Sequence, residues 1–139
     1  VPAHVLMQAV FNIVQNAAQA HAQRNLDNAA AFGAAPTGNI WVRAGLDSHT
    51  LDPEKGHSVT VNITIRDDGP GMDSQTARRC TDPFFTTKSK NLGSGLGLYV
   101  VRSVLERHGA KLRVDSKLDE GSTFTILLPV APAEVMAHA

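Results

Sequence analysis

The sequence predicts an α+β fold: a two-layer α/β sandwich with a mixed, mostly antiparallel sheet and helices packed on one face. Three observations lead there. Apolar residues recur at helical spacing in two separate stretches, 5–22 and 96–108. Four segments, 40–46, 59–66, 111–116 and 122–130, read as strands. Their order is helix, two strands, loop, helix, two strands, and each strand pair has a turn-forming connection.

In the first helix Leu6, Val10, Ile13, Val14, Ala17 and Ala18 supply the apolar pattern. Asn12, Asn16 and Gln19 fall at i, i+4 and i+7 and project from one face. The alanine-rich segment 24–38, with Gly33, Pro36 and Gly38, reads as the helix end followed by a loop. The strand 59–66 alternates cleanly, Val59, Val61, Ile63 and Ile65 against Thr60, Asn62 and Thr64. Polar residues 47–57, with Pro53 and Gly56, read as its hairpin connection. Asp67-Asp68-Gly69-Pro70-Gly71-Met72 then breaks the strand with turn chemistry. Residues 74–80 read as a short helix capped by Asp73 or Ser74, and a long irregular loop follows. In the second long helix Leu98, Val101, Val104 and Leu105 point inward, and Gly109 is its stop. Asp119-Glu120-Gly121 turns between the last two strands, and the tail from Ala131 has no core pattern.

A length of 139 residues predicts one domain over 1–139, with its core at about 5–130. A hydrophobic share of 42% and a charged share of 19% fit a globular chain. A formal net charge of zero gives no electrostatic case for a nucleic-acid partner. The lone Cys80 excludes an internal disulfide framework and fits a reducing compartment. No apolar run has bilayer length and no signal-peptide pattern is present. The histidines lack zinc-ligand spacing; His4, His21 and His108 read as structural or solvated.

Four stretches carry chemistry, each with a plainer reading beside it. Helix asparagines commonly face solvent, yet Asn12 and Asn16 with Gln19 form a polar stripe that can offer neutral oxygens to a hard cation such as magnesium. Asp67 to Gly71 is either a simple turn or a strand-end acceptor for a donor on a bound base. Asp82-Pro83-Phe84-Phe85-Thr86-Thr87-Lys88 has neither helical nor strand periodicity. Gly93-Ser94-Gly95-Leu96-Gly97-Leu98 opens straight into a helix, where backbone N–H groups and the helix terminus favour phosphate. It is neither a Walker loop nor a dinucleotide fingerprint, and a linker would not interleave leucine with glycine in this way.

In this order the stretches resemble the catalytic and ATP-binding domain of bacterial sensor histidine kinases, within the GHKL ATPase superfamily. Residues 12–20 look like the asparagine box, 67–71 the first glycine box, 82–88 the phenylalanine box and 93–98 the second glycine box. Gly121-Ser122-Thr123-Phe124 resembles the last, weaker box. The Phe-Phe-Thr-Thr-Lys form is similar to sensors of the nitrogen-regulation and dicarboxylate-sensing type.

The resemblance implies that ATP and Mg2+ are the cofactors, with Asn16 the metal ligand. Asp67 would accept from the adenine amino group, with Gly69 and Gly71 against the base; Gln19, Met72 and Thr123 are further expected cofactor-binding residues. Phe84, Thr86, Thr87 and Lys88 would contribute from the phenylalanine box. Gly93, Gly95 and Gly97 would form the phosphate-contacting edge of a lid over about 83–94, with Ser94, Leu96 and Leu98 among the cofactor-binding residues. Asn12 and Lys88 are the expected catalytic neighbours of the phosphates. The implied ATP also sets the expectation of a cytoplasmic domain without direct membrane contact, whether the parent protein is soluble or membrane-anchored with this domain facing the cytosol.

Two departures narrow this. Superfamily members that hydrolyse ATP carry a glutamate four residues before the magnesium asparagine as general base. Here that residue is Asn12, whose amide cannot take a proton at neutral pH. No histidine here has the phosphoacceptor context, so the resemblance implies the catalytic half of a protein-histidine kinase only. Its partners would be a helical dimerisation and histidine-phosphotransfer domain and, downstream, a response regulator. The rival readings are a degenerate nucleotide-sensing interaction module and an anti-sigma-type serine kinase, the latter disfavoured by the Phe-Phe-Thr-Thr-Lys element.

Overall fold

In the computed structural model, which describes residues 1–32, 38–52, 56–85 and 97–130 (the side chains of 31–32, 48–52 and 56–58 excepted), the first helix, α1, spans Ala3–Phe32. It runs on through residues 24–32 of the alanine-rich segment before ending, and 33–37, expected as the loop, lie outside the described residues. Alanine has the highest helix propensity, Gln23 Nε2 donates to Asp27 Oδ1 at 3.1 Å one turn on, and Gly33 and Pro36 come only afterwards.

Strands β1 (Ile40–Asp52) and β2 (Gly56–Asp67) form a longer hairpin than the side-chain pattern predicts. Their ladder extends through Ser48↔Val59 and Thr50↔His57. Backbone pairing continues where polar side chains hide the period-2 signal, and Asn62 Nδ2 donates across the pair to Asp47 Oδ2. A short helix α2 (Ser74–Arg79) follows, its N-cap Asp73 accepting from the Thr76 N–H at 2.7 Å. Helix α3 (Gly97–Arg107) ends as expected at Gly109. There the Ala110 N–H reaches the Leu105 carbonyl at 2.9 Å and the Gly109 N–H reaches Glu106 at 3.0 Å, satisfying carbonyls the helix leaves open. Strands β3 (Lys111–Lys117) and β4 (Gly121–Val130) complete a four-stranded sheet of order β1-β2-β4-β3. Every pairing is antiparallel.

The register arranges the helix-facing side of the sheet in rows, because directly paired residues share a face. Leu112, Ile126 and Ile63 form one row, and Val114, Phe124 and Ile65 the next. Against them pack Ala9 and Ile13 of α1 and Val101 and Leu105 of α3. Ile13, Ile65, Leu105 and Ile126 are fully buried. The third row, at the sheet's end, is polar over three strands, Ser116, Ser122 and Asp67, and ends on Ile40 of β1. On the opposite face the Arg66 guanidinium lies 5.3 Å from the Trp41 ring centroid.

Cys80 belongs to the core, and burial pushes its thiol up to about 11. Its Sγ donates to the Ala77 carbonyl at 3.2 Å. At neutral pH it is a thiol, not a nucleophile.

Candidate functional site

The polar row is where the apolar sheet gives way to chemistry. Asp67 is the last residue of β2 and only 5% exposed. Its Oδ1 accepts from the Gly69 N–H at 2.9 Å, which bends the chain sharply out of the strand. A carboxylate has two oxygens and about four acceptor positions, so this bond leaves capacity for a further donor.

The turn after Asp67 is wedged against the β3–β4 connection. Gly71 has φ +66, and a Cβ there would come within 2.0 Å of the Lys117 carbonyl oxygen. Gly121 has φ +96, and a Cβ there would come within 2.0 Å of the Asp67 carbonyl oxygen. The Met72 N–H donates to Ser116 Oγ at 2.8 Å, and the Ser116 and Ser122 hydroxyls are 2.8 Å apart. Gly71 and Met72 thus anchor the loop to the sheet.

Asp68 points the other way and is clamped by Asn39. The Asn39 backbone N–H donates to Oδ1 at 2.7 Å and its side-chain amide to Oδ2 at 2.9 Å. These bonds, the side-chain one first, hold the Asp68 carboxyl below the usual aspartate value. The Thr76 backbone N–H does the same for Asp73. A carboxyl whose folded-state pKa is depressed contributes stability above its unfolded pKa, about 4, and loses it as pH falls through the folded value. The melting temperature is therefore expected to fall below about pH 4, with a shallower acid limb in Asp68→Asn and Asp73→Asn. Acid limbs identical to wild type in a thermal series from pH 2.5 to 6 would show that neither carboxylate contributes.

Asn12, Asn16 and Gln19 are all half-buried on one side of α1. Asn12 Oδ1 accepts from Gln8 Nε2 at 3.0 Å. It also lines a cavity of about 280 Å³ between α1 and α3, with Ala9, Val101 and Leu105. Gly97 begins α3 with open space where a Cβ would sit, and Leu98 packs on the core. Arg102 of α3 ties down the phenylalanine stretch: its Nη1 donates to the buried Thr81 hydroxyl at 2.9 Å. Phe85 lies under the Arg79 guanidinium, 4.7 Å from ring centroid to Cζ. Phe84 is 75% exposed and adopts φ 65, a left-handed conformation costly for a bulky residue. Thr86, Thr87, Lys88, Gly93, Ser94, Gly95 and Leu96 lie outside the described residues, as does nearly all of the expected lid.

A family model described as histidine kinase-, DNA gyrase B- and HSP90-like ATPase matches residues 3–132. The chain belongs to this ATPase family.

The curated relatives of this histidine kinase-type ATPase domain are sensor kinases. It is 32% identical over 128 residues to the C4-dicarboxylate transport sensor protein DctB of Pseudomonas aeruginosa, spanning 91% of this chain and 18% of the relative. It is 31% identical over 130 residues to the sensory histidine kinase/phosphatase NtrB of Rhizobium leguminosarum, spanning 91% and 30%. The chain thus spans less than a third of the length of either. Among solved structures, the mycobacterial sensor histidine kinase MprB superposes with a TM-score of 0.59 at 31% identity, covering 93% of this chain and 72% of that one. The catalytic domain of histidine kinase ThkA gives 0.66 at 25% identity, covering 95% and 71%. The α+β fold is that of histidine kinase catalytic domains.

Within this ATPase domain the register sets Thr123, an expected cofactor-binding residue, on the opposite sheet face from Asp67. Thr123 pairs with Arg66 and Asp115, on the sheet face turned away from the helices and from Asp67. Its neighbour Ser122, buried and directly paired with Asp67, is the residue of that box on the site's face. A one-residue change of parity moves a side chain across the sheet, and only the register reveals it. His21 and Asn39, which also meet the Asp67-Asp68 turn, carry no sequence signal because their partners lie on other elements. Among the described residues no helix is long and apolar enough to cross a membrane.

Proposed function

We propose that this domain binds Mg-ATP and donates the γ-phosphoryl group to a histidine on a helical dimerisation domain, as the catalytic half of a two-component sensor kinase. The observation that carries this reading is Asp67. A carboxylate enclosed at the end of an apolar sheet, fixed by the Gly69 N–H, is built to accept from a planar donor such as the adenine amino group. Stable burial of such a group requires hydrogen-bond partners.

The remaining residues fit the nucleotide. Asn16, half-buried on the stripe of α1, offers a neutral amide oxygen suited to magnesium, which takes few protein ligands and keeps waters and phosphates. Magnesium bound there would neutralise phosphate charge. Gly97, with room in place of a side chain, presents the N-terminus of α3 to anions. Lys88 and the glycines at 93 and 95 supply further charge and N–H groups by the family resemblance. Phosphoryl transfer asks mainly for positioning and charge stabilisation, and these residues provide both. Asn12 cannot act as a base toward water, which favours transfer to an external histidine over hydrolysis. A response regulator would then take the phosphoryl group from that histidine. DctB and NtrB as relatives favour this reading over the interaction-module and serine-kinase alternatives.

The test supplies γ-labelled Mg-ATP together with a histidine-bearing helical domain from a DctB- or NtrB-type sensor. Acid-labile, base-stable label on that domain is expected, with hydrolysis by the chain alone at least a hundredfold slower than in a gyrase-type ATPase. Rapid hydrolysis would contradict the role given to Asn12. Nucleotide binding without any transfer would favour the interaction module.

A further inference from the structure

His21 belongs to none of the nucleotide-binding stretches, yet it is buried and polar in its contacts. The residue is 8% exposed, on α1 beyond Asn16 and Gln19. Nε2 lies 3.2 Å from the Asn39 carbonyl oxygen and 3.4 Å from Asp68 Oδ1. Both neighbours are acceptors, so Nε2 carries a proton, and the neutral tautomer suffices.

The rest of the ring is enclosed by the same segments. A Cβ on Gly38 would fall 2.5 Å from Nδ1, so the backbone before Asn39 runs directly against the imidazole. A Cβ on Gly69 would meet Asp67 Oδ1 at 2.8 Å and His21 Cε1 at 3.5 Å. The imidazole edge, the Gly69 backbone and the Asp67 carboxylate therefore form one contact layer. Arg24, one turn further along α1, donates through Nη1 to the Asp68 carbonyl at 3.2 Å. Asn39 completes the arrangement by holding both Asp68 carboxylate oxygens. The loop carrying Asp67 is thus tied to the helix that carries Asn16 directly by Arg24 and the His21–Asp68 contact, and through Asn39 by the His21 hydrogen bond.

We propose that His21 is a positioning residue for purine recognition: through the Asn39 carbonyl and Asp68 it locks the turn that aims Asp67, setting the distance between the base acceptor and the α1 phosphate face. The inference rests on the reading of Asp67 as the acceptor for the base. A displacement of about 1 Å in that turn takes a hydrogen bond out of its effective range. A histidine that merely filled the core would contribute stability and nothing to base recognition.

The test compares His21→Leu, similar in bulk without a donor, with His21→Gln, which restores one. Calorimetry on this chain measures affinity for Mg-ATP, Mg-GTP and Mg-tripolyphosphate, and amide exchange follows the Gly69 N–H. His21→Leu is expected to lose roughly tenfold in Mg-ATP affinity, the worth of one hydrogen bond. It should also narrow the ATP-to-GTP ratio, speed Gly69 exchange and leave Mg-tripolyphosphate within twofold. His21→Gln should recover most of each loss. If His21→Leu does not fold, His21→Asn, too short to reach the Asn39 carbonyl, takes its place with the same expected losses. A wild-type ATP-to-tripolyphosphate ratio and wild-type Gly69 exchange in the donor-less variant would overturn the proposal while leaving nucleotide binding intact. No Mg-ATP binding by the wild-type chain would overturn both readings.

Discussion

Replacing Asp67 with asparagine is expected to weaken Mg-ATP binding at least about thirtyfold while leaving the fold in place. The substitution is isosteric, and the amide oxygen can still accept from the Gly69 N–H that Asp67 Oδ1 now accepts. What changes is the second position, where an NH2 group replaces a carboxylate oxygen. Two donors, the amide and the adenine amino group, then face each other. Hydrogen bonds to charged groups contribute about 1.5–3 kcal/mol, and the leftover buried donor adds a desolvation cost. Enclosure of the group makes the loss large, since little solvent reaches it to compensate. Calorimetry with Mg-ATP measures the change, and an affinity equal to wild type would remove Asp67 from the base site. Unchanged Mg-tripolyphosphate affinity would assign the loss to the base rather than to the phosphates.

The second large effect is on stability. Gly121→Ala and Gly71→Ala are each expected to cost roughly 2–5 kcal/mol, combining left-handed backbone strain with overpacking. In both, the new methyl would have to occupy space 2.0 Å from a backbone carbonyl oxygen, of Asp67 and Lys117 respectively. Backbone, unlike a flexible side chain, has little freedom to yield. Gly109 provides the control: its φ is +79, yet a Cβ there would meet nothing within 4 Å. Gly109→Ala should therefore cost only about 1 kcal/mol, the conformational part alone. Urea unfolding separates the two contributions. Equal losses at Gly121 and Gly109 would show that close packing of the two turns is not what these glycines serve. Because Gly121 leans on the Asp67 carbonyl, Gly121→Ala should also weaken nucleotide binding, whereas Gly109→Ala should not.

Much of the candidate site is legible in residue order. Asp67 stood out because a carboxylate at a strand end precedes two turn glycines, and Asn16 because a helical period put it on a stripe with Asn12 and Gln19. The boundaries were less legible. Alanine-rich 24–32 carries no amphipathic signal, so the continuation of α1 was hidden. The polar stretch 47–57 resembles a loop, although the backbone of 47–52 and 56–57 pairs in a ladder. Nothing in the sequence tells on which sheet face Ser122 or Thr123 lies, because neighbours on a strand differ only in parity, which a partner strand must define. His21 has only a structural or solvated reading in the sequence, since its partners Asn39 and Asp68 are remote along the chain.

By itself the sequence determined the local features: two amphipathic helices, four strands, the stop at Gly109, the ordered boxes, and an amide rather than an acid at position 12. These follow from propensities, periodicities and side-chain chemistry that act over a few residues. Tertiary structure alone decided the strand order β1-β2-β4-β3 and the row Ser116, Ser122 and Asp67. It also decided the wedge of Gly121 against Asp67 and the contact of His21 with the turn. Each of these requires distant segments to meet in one register, and register is set by the packing of whole faces, which no short stretch of sequence contains.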